Sequence, residues 1–175
     1  MAIRLTAGSR GFTLIEVLVV MGVIAILVAL LMPVIGTVRE SAKKSQAKSE
    51  AQRIEAAIHA YFSDYNKLPL TTQGSADVLA ETTASMTVIK AMIAQDPALN
   101  PRAVPYIAAQ GQNLDGTYLD PWGSQYVLWF DANYDGRIDF KLGAITTNVP
   151  GSALVVSYGR KVGTPSFIYS HGFEQ

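Results

Sequence analysis

The sequence predicts an α+β fold in which one long amino-terminal helix packs on a small antiparallel β-sheet domain. Three observations predict it. Every residue from Val17 to Ile35 is apolar, which is the pattern of a membrane-spanning helix. Apolar residues then recur at three- and four-residue steps as far as Asn66, which continues the helix in amphipathic form. From Asp120 onward, short aromatic and aliphatic runs alternate with turn-forming residues, as in an antiparallel sheet.

The apolar run is long enough to cross a bilayer. As a helix rising about 1.5 Å per residue, it would extend roughly 28 Å, close to the hydrocarbon thickness of about 30 Å. Gly22 and Pro33 are its only poor helix formers. Pro33 removes one backbone hydrogen bond and so favours a kink.

A single carboxylate, Glu16, stands directly before this run. An isolated acid at the edge of a membrane span is disfavoured unless a partner pairs with it, so Glu16 is predicted to be functional. A secretory signal peptide is one alternative, with Arg4 and Arg10 as its basic front and residues 34–36 as its cleavage site. Glu16 and the length of the run count against it. An ordinary membrane anchor explains the length but gives residues 11–16 no role.

The hexapeptide Gly11-Phe12-Thr13-Leu14-Ile15-Glu16 resembles the processing site of type IV prepilins and type II secretion pseudopilins. The resemblance implies a pilin-like fold. It also implies that a dedicated prepilin peptidase cuts after Gly11 and methylates the new amino terminus on Phe12. Residues 1–11 would then be a cleaved leader, and residues 12–36 the transmembrane and assembly helix.

The resemblance also implies a role for Glu16. Cleavage creates a positive amine on Phe12, and in the filament a neighbouring subunit's Glu16 is expected beside it. In a helix bundle of low dielectric the two charges attract far more strongly than in water, so the pair would set the register of packed helices. The alternative is a local pair, because Glu16 lies one helical turn from Phe12 in its own chain.

Composition limits the remaining possibilities. With 175 residues, the chain has room for one modest domain beyond the helix. Lys and Arg number 14, as do Asp and Glu; this balance argues against nucleic acid as a partner, since phosphate binding needs a basic excess. The chain has no cysteine, which excludes disulfides and thiolate sites. Many type IV pilins close a loop with a disulfide, so its absence favours the pseudopilins.

Charge counting and the resemblance disagree about orientation. Residues 2–10 are basic and free of acids, as a cytoplasmic leader should be. On the other side of the span, a count of basic residues would place that side in the cytoplasm as well; these are Arg39, Lys43, Lys44 and Lys48. The prepilin resemblance implies a single-pass protein of the bacterial inner membrane whose carboxy-terminal domain is periplasmic and later part of a periplasmic filament.

Residues 37–66 are predicted to form the amphipathic second half of the helix. Its apolar stripe consists of Ala47, Ala51, Ile54, Ile58, Tyr61, Phe62 and Tyr65. Charged residues take most other positions, either as a solvated face or as pairs between filament subunits. The helix is expected to end near Asn66, before Lys67-Leu68-Pro69.

Residues 67–175 are predicted to be a globular periplasmic α+β domain. Ser75 is placed to cap a short helix whose stripe is Met86, Ile89, Met92 and Ile93, ending before Asp96-Pro97. A short strand is expected at Tyr106–Ala108. The main strands are predicted at Tyr126–Phe130, at its hairpin partner Ile138–Leu142, at Ala153–Tyr158 and at Phe167–Tyr169. The last two are expected to pair across the turn of residues 159–166. Trp122 and Trp129 are expected to anchor the sheet against the helix.

Asp120-Pro121-Trp122-Gly123 is a turn signal. Together with Tyr126, it resembles the major pseudopilin of type II secretion, as do Tyr65, Leu68-Pro69 and the segment Thr71-Thr72-Gln73-Gly74. That family usually has calcium-binding acids in its carboxy-terminal loop. This chain departs from it, because residues 140–173 contain no Asp or Glu.

Residues 131–139 have the spacing of a calcium loop. Oxygen-bearing side chains occupy its first, third, fifth and ninth places, with glycine at the sixth for the sharp turn; these residues are Asp131, Asn133, Asp135, Asp139 and Gly136. Arg137, at the seventh place, would contribute its backbone carbonyl. Leu142 replaces the glutamate at the twelfth place, so the loop is not an EF-hand. The alternative is a plain turn with Asx-type bonds, but the spacing favours bound Ca²⁺.

No catalytic set emerges, so an enzyme is not predicted. His59 lies beside the apolar stripe, and His171 lies in the tail. The leading hypothesis is a structural subunit of a pseudopilus-type filament that supports protein export. Its partners would be copies of itself, the prepilin peptidase, other pseudopilins and an inner-membrane assembly platform. The alternatives are a type IV pilin for adhesion, twitching or DNA uptake, and a membrane-tethered calcium-binding domain with a separate binding or hydrolytic activity.

Overall fold

The computed structural model describes residues 11–71, 74, 76–108, 115–142, 145–160 and 167–170, without the side chains of residues 33, 34, 142 and 145. Its elements are α1 (Leu14–Tyr65), β1 (Val78–Ala80), α2 (Thr82–Met92), β2 (Val127–Phe130), β3 (Arg137–Leu142), β4 (Ile145–Pro150), β5 (Ala153–Ser157) and β6 (Ile168–Tyr169). One long amino-terminal helix and a small antiparallel sheet confirm the predicted α+β, pilin-like layout.

The chain divides into two compact units, Met1–Ser41 and Ala42–Gln175. In the first unit, α1 begins at Leu14 and continues through Pro33 without a break. Its side chains from residue 12 to residue 32 are all exposed. By length and composition, this is a helix that could cross a membrane. Residues 1–10 of the expected leader lie outside the described residues.

In the second unit, one face of α1 is buried against the domain. Ala47, Ala51, Ile54, Ile58 and Tyr61 are fully buried, and Phe62 and Tyr65 are partly buried beside them. These are the residues of the predicted stripe, which is therefore confirmed. The helix ends at Tyr65, and Asn66 follows with a φ of +51°, the left-handed conformation in which helices commonly terminate.

Four antiparallel strands form the main sheet in the order β1-β2-β5-β6. Successive side chains of a strand face opposite sides, so β2 supplies two cores. Leu128 and Phe130 pack in the core that contains α1 and α2. Val127 and Trp129 pack in a second core with Ile138, Phe140 and Val149 of the β3–β4 hairpin.

The predicted hairpin between β2 and β3 is wrong. Strand β2 pairs with β1 and β5, whereas β3 pairs with β4 in a separate two-stranded sheet. Both faces of β2 are buried, and only neighbours on each edge together with a layer on each face satisfy such a strand. The strands at Ala153–Ser157 and Ile168–Tyr169 pair with each other as predicted, although residues 161–166 between them lie outside the described residues.

Three smaller expectations also need correction. Trp129 lies in the second core, on the side of the sheet away from α1. Tyr106–Ala108 is not a strand; the backbone N–H groups of Tyr106 and Ile107 both donate to the carbonyl of Met92, over 2.8 and 3.1 Å. Helix α2 begins at Thr82 with Glu81 at its N-cap, and Ser75 lies outside the described residues.

Candidate functional site

The amino-terminal processing motif stands open at the start of α1. Gly11 has no other atom near the place where a Cβ would lie, and the side chain of Phe12 is 81% exposed. The peptide bond between them precedes the first helical residue, Leu14. An uncovered bond outside the helix is accessible to a peptidase, because no helical hydrogen bond has to break first.

Glu16 closes a capping box with Thr13, which sequence reasoning missed. The Oε2 atom of Glu16 accepts hydrogen bonds from the Thr13 backbone N–H over 2.9 Å and from the Thr13 hydroxyl over 2.8 Å. In return, the Glu16 N–H donates to Thr13 Oγ1 over 3.3 Å. The signal was present as Thr-x-x-Glu directly before an apolar run. Glu16 therefore has a local partner within its own chain, namely Thr13.

The loop before β3 gathers three of the predicted calcium ligands. Asp131 is 3% exposed, and its carboxylate accepts backbone N–H bonds from Asp135 over 3.1 Å and from Gly136 over 2.8 Å. The Asn133 side-chain amide donates to Asp135 Oδ2 over 3.1 Å. Gly136 has a φ of +83°, which glycine adopts without strain. These are the Asx-type bonds of the plain-turn alternative, and they leave further lone pairs on each carboxylate.

The remaining predicted ligands, Arg137 and Asp139, lie on β3, and their side chains bond Asn148 on β4. Asp139 Oδ1 accepts a hydrogen bond from the Asn148 side-chain amide over 2.7 Å, and the Arg137 guanidinium bonds Asn148 Oδ1. The Arg137 N–H donates to Asp135 Oδ1 over 2.9 Å. Across the described part of the chain, no group of three or more His, Cys, Asp or Glu residues is arranged to hold a metal ion.

Asp77, which the sequence did not single out, faces this loop. Its Oδ2 accepts the backbone N–H of Asp139. Burial, followed by the charges of Asp131, Asp135 and Asp139, raises the pKa of the Asp77 carboxyl, against the lowering effect of that backbone bond. Its Oδ1 is buried without a hydrogen-bond partner among the described residues. Asp77 thus brings an unpartnered carboxylate oxygen to the loop, where a cation would offset the repulsion between the like charges.

The Asp120-Pro121-Trp122-Gly123 segment forms the predicted turn and is a structural corner. The Gly123 N–H donates to the Asp120 carbonyl over 2.9 Å, and Gly123 has a φ of +83°. The buried Asp120 carboxylate accepts N–H bonds from Trp122 and Ser124 and a 2.6 Å bond from the Ser157 hydroxyl. Three donors satisfy the buried charge and fix the turn to the end of β5.

The amino-terminal segment matches a known family model. Residues 6–32 match the prokaryotic N-terminal methylation motif, which supports the superfamily of type IV pilins and pseudopilins. The motif implies processing by a prepilin peptidase and pilus-type assembly. No curated protein and no solved structure matches the chain.

Proposed function

We propose that this chain, whose amino terminus is of the prepilin type, is a structural subunit of a pseudopilus-type filament in a type II secretion-like system. Prepilin peptidase removes the leader, the apolar half of α1 holds the subunit in the inner membrane, and assembly draws it into a short periplasmic fibre that supports protein export. The chain acts mechanically and is not an enzyme.

The observation that carries the proposal is the methylation motif leading directly into an exposed apolar helix. Exposed fractions along this segment include 83% for Leu14, 64% for Ile26 and 70% for Met32. An apolar surface of this extent is not stable in water. Lipid covers it while the subunit is in the membrane, and the helices of neighbouring subunits cover it in the filament.

The partners follow from this life cycle. They are the prepilin peptidase and methylase, an inner-membrane assembly platform, other pseudopilins and further copies of the chain. The balanced charge of the chain offers no excess of positive charge for nucleic acid. In the proposed orientation, the unit that contains the sheet lies in the periplasm.

A type IV pilin is the runner-up within the same superfamily. The absence of cysteine favours the pseudopilin, and the two functions separate in a deletion strain. Loss of a pseudopilin leaves exported proteins in the periplasm, whereas loss of a type IV pilin abolishes adhesion, twitching or DNA uptake.

We further propose that the loop of residues 131–139 binds one Ca²⁺. The ligands would be Asp131, Asn133 and Asp135, with the Arg137 carbonyl and Asp139 directly or through water. The support is Asp77, whose Oδ2 accepts the backbone N–H of Asp139 and whose Oδ1 is buried without a hydrogen-bond partner among the described residues. If the filament assignment fails while calcium binding holds, a membrane-tethered calcium-binding domain becomes the better description.

Processing is the direct test of the filament assignment. In bacteria that contain the peptidase, mass spectrometry of membrane-extracted protein should show a chain that begins at Phe12 with a methylated amine. Gly11→Leu should keep the leader attached, because the bulky side chain blocks the cleaved bond. Gly8→Leu, a matched change inside the leader, should be cleaved normally. A wild-type chain that still begins at Met1 would contradict the assignment.

A further inference from the structure

The unit Ala42–Gln175 begins with a concentration of positive charge. Residues 42–48 contain Lys43, Lys44 and Lys48 and no acid. Lys43 and Lys44 are exposed. Lys43 stands four residues before Ala47, the first buried residue of the stripe, so it occupies the next place on the same face of the helix. The apolar stripe therefore gives way to lysine at this end of the unit.

An aromatic turn lies beside Lys43. The Nζ atom of Lys43 is 6.0 Å from the centre of the Trp122 ring. Trp122 is half-buried and Gly123 is exposed, while Leu119, just before the turn, is 37% exposed. Tryptophan beside lysine, with an apolar residue nearby, is the combination that favours the headgroup region of a membrane, where an amphipathic ring and a cation are both accommodated.

Lys43 comes shortly after the apolar run along the chain. Lys43 follows Ile35, the last residue of the apolar run, by eight residues, and α1 is continuous between them. Eight residues of helix rise about 12 Å. The polar layer on each side of the hydrocarbon is about 5–8 Å thick. A lysine side chain is long enough to extend its ammonium toward lipid phosphates.

We propose that Lys43, Lys44 and Trp122 form a lipid-binding corner that holds anionic phospholipid headgroups while the subunit waits in the membrane. The proposal rests on the membrane-held stage of the proposed function. The ammonium groups pair with lipid phosphates, and the indole ring lies at the headgroup level. The count of basic residues would place this flank in the cytoplasm. Binding of anionic lipid explains why lysines lie here although the proposed orientation is periplasmic.

The attraction between two lysines and an anionic membrane is strong enough to favour anionic lipid but too weak for permanent attachment. Each lysine close to an anionic membrane surface strengthens the contact about fivefold, so Lys43 and Lys44 together provide roughly 25-fold. The attraction falls off within a Debye length, about 8 Å at physiological ionic strength. The corner can therefore release lipid when the subunit enters the filament.

The test uses the full chain in nanodiscs of phosphatidylcholine alone or mixed with phosphatidylglycerol, with a nitroxide quencher on the lipid headgroup. The fluorescence difference between the wild type and Trp122→Phe isolates the Trp122 signal. We expect stronger quenching of Trp122 in the anionic nanodiscs, and loss of that increment in molar salt. In the double variant Lys43→Gln/Lys44→Gln, the anionic lipid fraction needed for half-maximal quenching should rise several-fold.

Lys67→Gln/Lys141→Gln is the matched control, because both lysines are exposed and lie outside the corner. It should behave as the wild type does. Equal quenching in the two kinds of nanodisc, or an undiminished response in the Lys43/Lys44 variant, would overturn the lipid contact. Processing is measured separately by the mass of the amino terminus, so failure of the lipid contact and failure of the filament assignment can be distinguished.

Discussion

At the scale of single residues, Glu16 caps its own helix, and in the proposed filament it also pairs with the amine of a neighbouring subunit. The carboxylate completes a capping box with Thr13, which supplies an acceptor for backbone N–H groups at the start of the helix. The proposed filament role needs its negative charge, because the partner is the amine that cleavage creates on Phe12. Glutamine at the same place preserves the cap and removes the charge.

Glu16→Gln and Glu16→Ala should therefore both be cleaved and inserted, and both should assemble poorly, because each lacks the charge that pairs with the neighbouring amine. The measurement is filament yield in sheared fractions, beside the mass of the processed terminus. Thr13→Ala, which removes the hydroxyl of the cap and keeps the charge, serves as the control and should assemble better than either. Normal filaments from Glu16→Gln would reduce the role of Glu16 to capping its own helix.

At the scale of elements, the loop of residues 131–139 connects different parts of the fold from those the sequence indicated. The sequence predicted a hairpin of Tyr126–Phe130 and Ile138–Leu142, whose two strands this loop would join. Because β3 pairs with β4, an ion would instead link the loop to Asp77, just before β1. The ring of Tyr134 in the same loop lies 6.2 Å from the ring of Phe62 on α1, so the loop also packs near the end of that helix.

Calcium should therefore raise the melting temperature of the full chain in detergent relative to chelator. Without the glutamate at the twelfth place, a dissociation constant of roughly 10⁻⁴ M is expected, and a hundredfold excess of ion stabilises the folded state by about 2.7 kcal/mol. Asp131→Ala and Asp135→Ala should abolish the shift. Asp115→Ala, an exposed acid outside the loop, should keep it. No shift at millimolar calcium leaves the plain turn.

Asp77 adds a pH signature to this calcium experiment. A raised carboxyl pKa in the folded state means that its contribution to stability is present below the unfolded pKa and is lost as the pH rises through the folded pKa. In chelator, Asp77→Asn should therefore be more stable than the wild type at neutral pH, and the difference should vanish in acid. With calcium the order should reverse, because the variant lacks one negative charge at the ion.

At the scale of the whole molecule, the count of basic residues and the prepilin motif predict opposite orientations of the chain in the membrane. Basic residues beyond the span would place the sheet-containing unit in the cytoplasm, whereas the prepilin motif implies the periplasm. The chain has no cysteine, so a single introduced thiol reports its side without background. Ser49, which is exposed on α1, is a suitable position.

Ser49→Cys should react with a membrane-impermeant maleimide in cells whose outer membrane alone has been permeabilised. The reason is that the proposed orientation places this residue in the periplasm. The extent of labelling is read as a mass shift and compared with labelling after lysis, with the cysteine-free chain as the blank. Labelling only after lysis would place Ser49 in the cytoplasm and would contradict both the proposed orientation and the filament proposal.

The sequence by itself determined the helix, its apolar and amphipathic halves, its end near Asn66 and the turn at Asp120–Gly123. These features depend on local periodicity, local hydropathy and turn chemistry, which neighbouring residues encode without outside help. It also indicated the prokaryotic N-terminal methylation motif, which the match over residues 6–32 supports, because a short motif carries its own signal. The capping box of Thr13 and Glu16 was readable in the same way.

Only the tertiary structure decided the partner of β2, the side of the sheet on which Trp129 packs, and the approach of Asp77 to the calcium loop. Strand pairing depends on which edges and faces can be buried together. Paired strands can be far apart in the sequence, so no local pattern indicates which strand is the partner. Phe130, for example, lies between Val78 and Ala153 in the sheet. Asp77 meets Asp139 for the same reason: the β1–β2 pairing brings its segment to the loop.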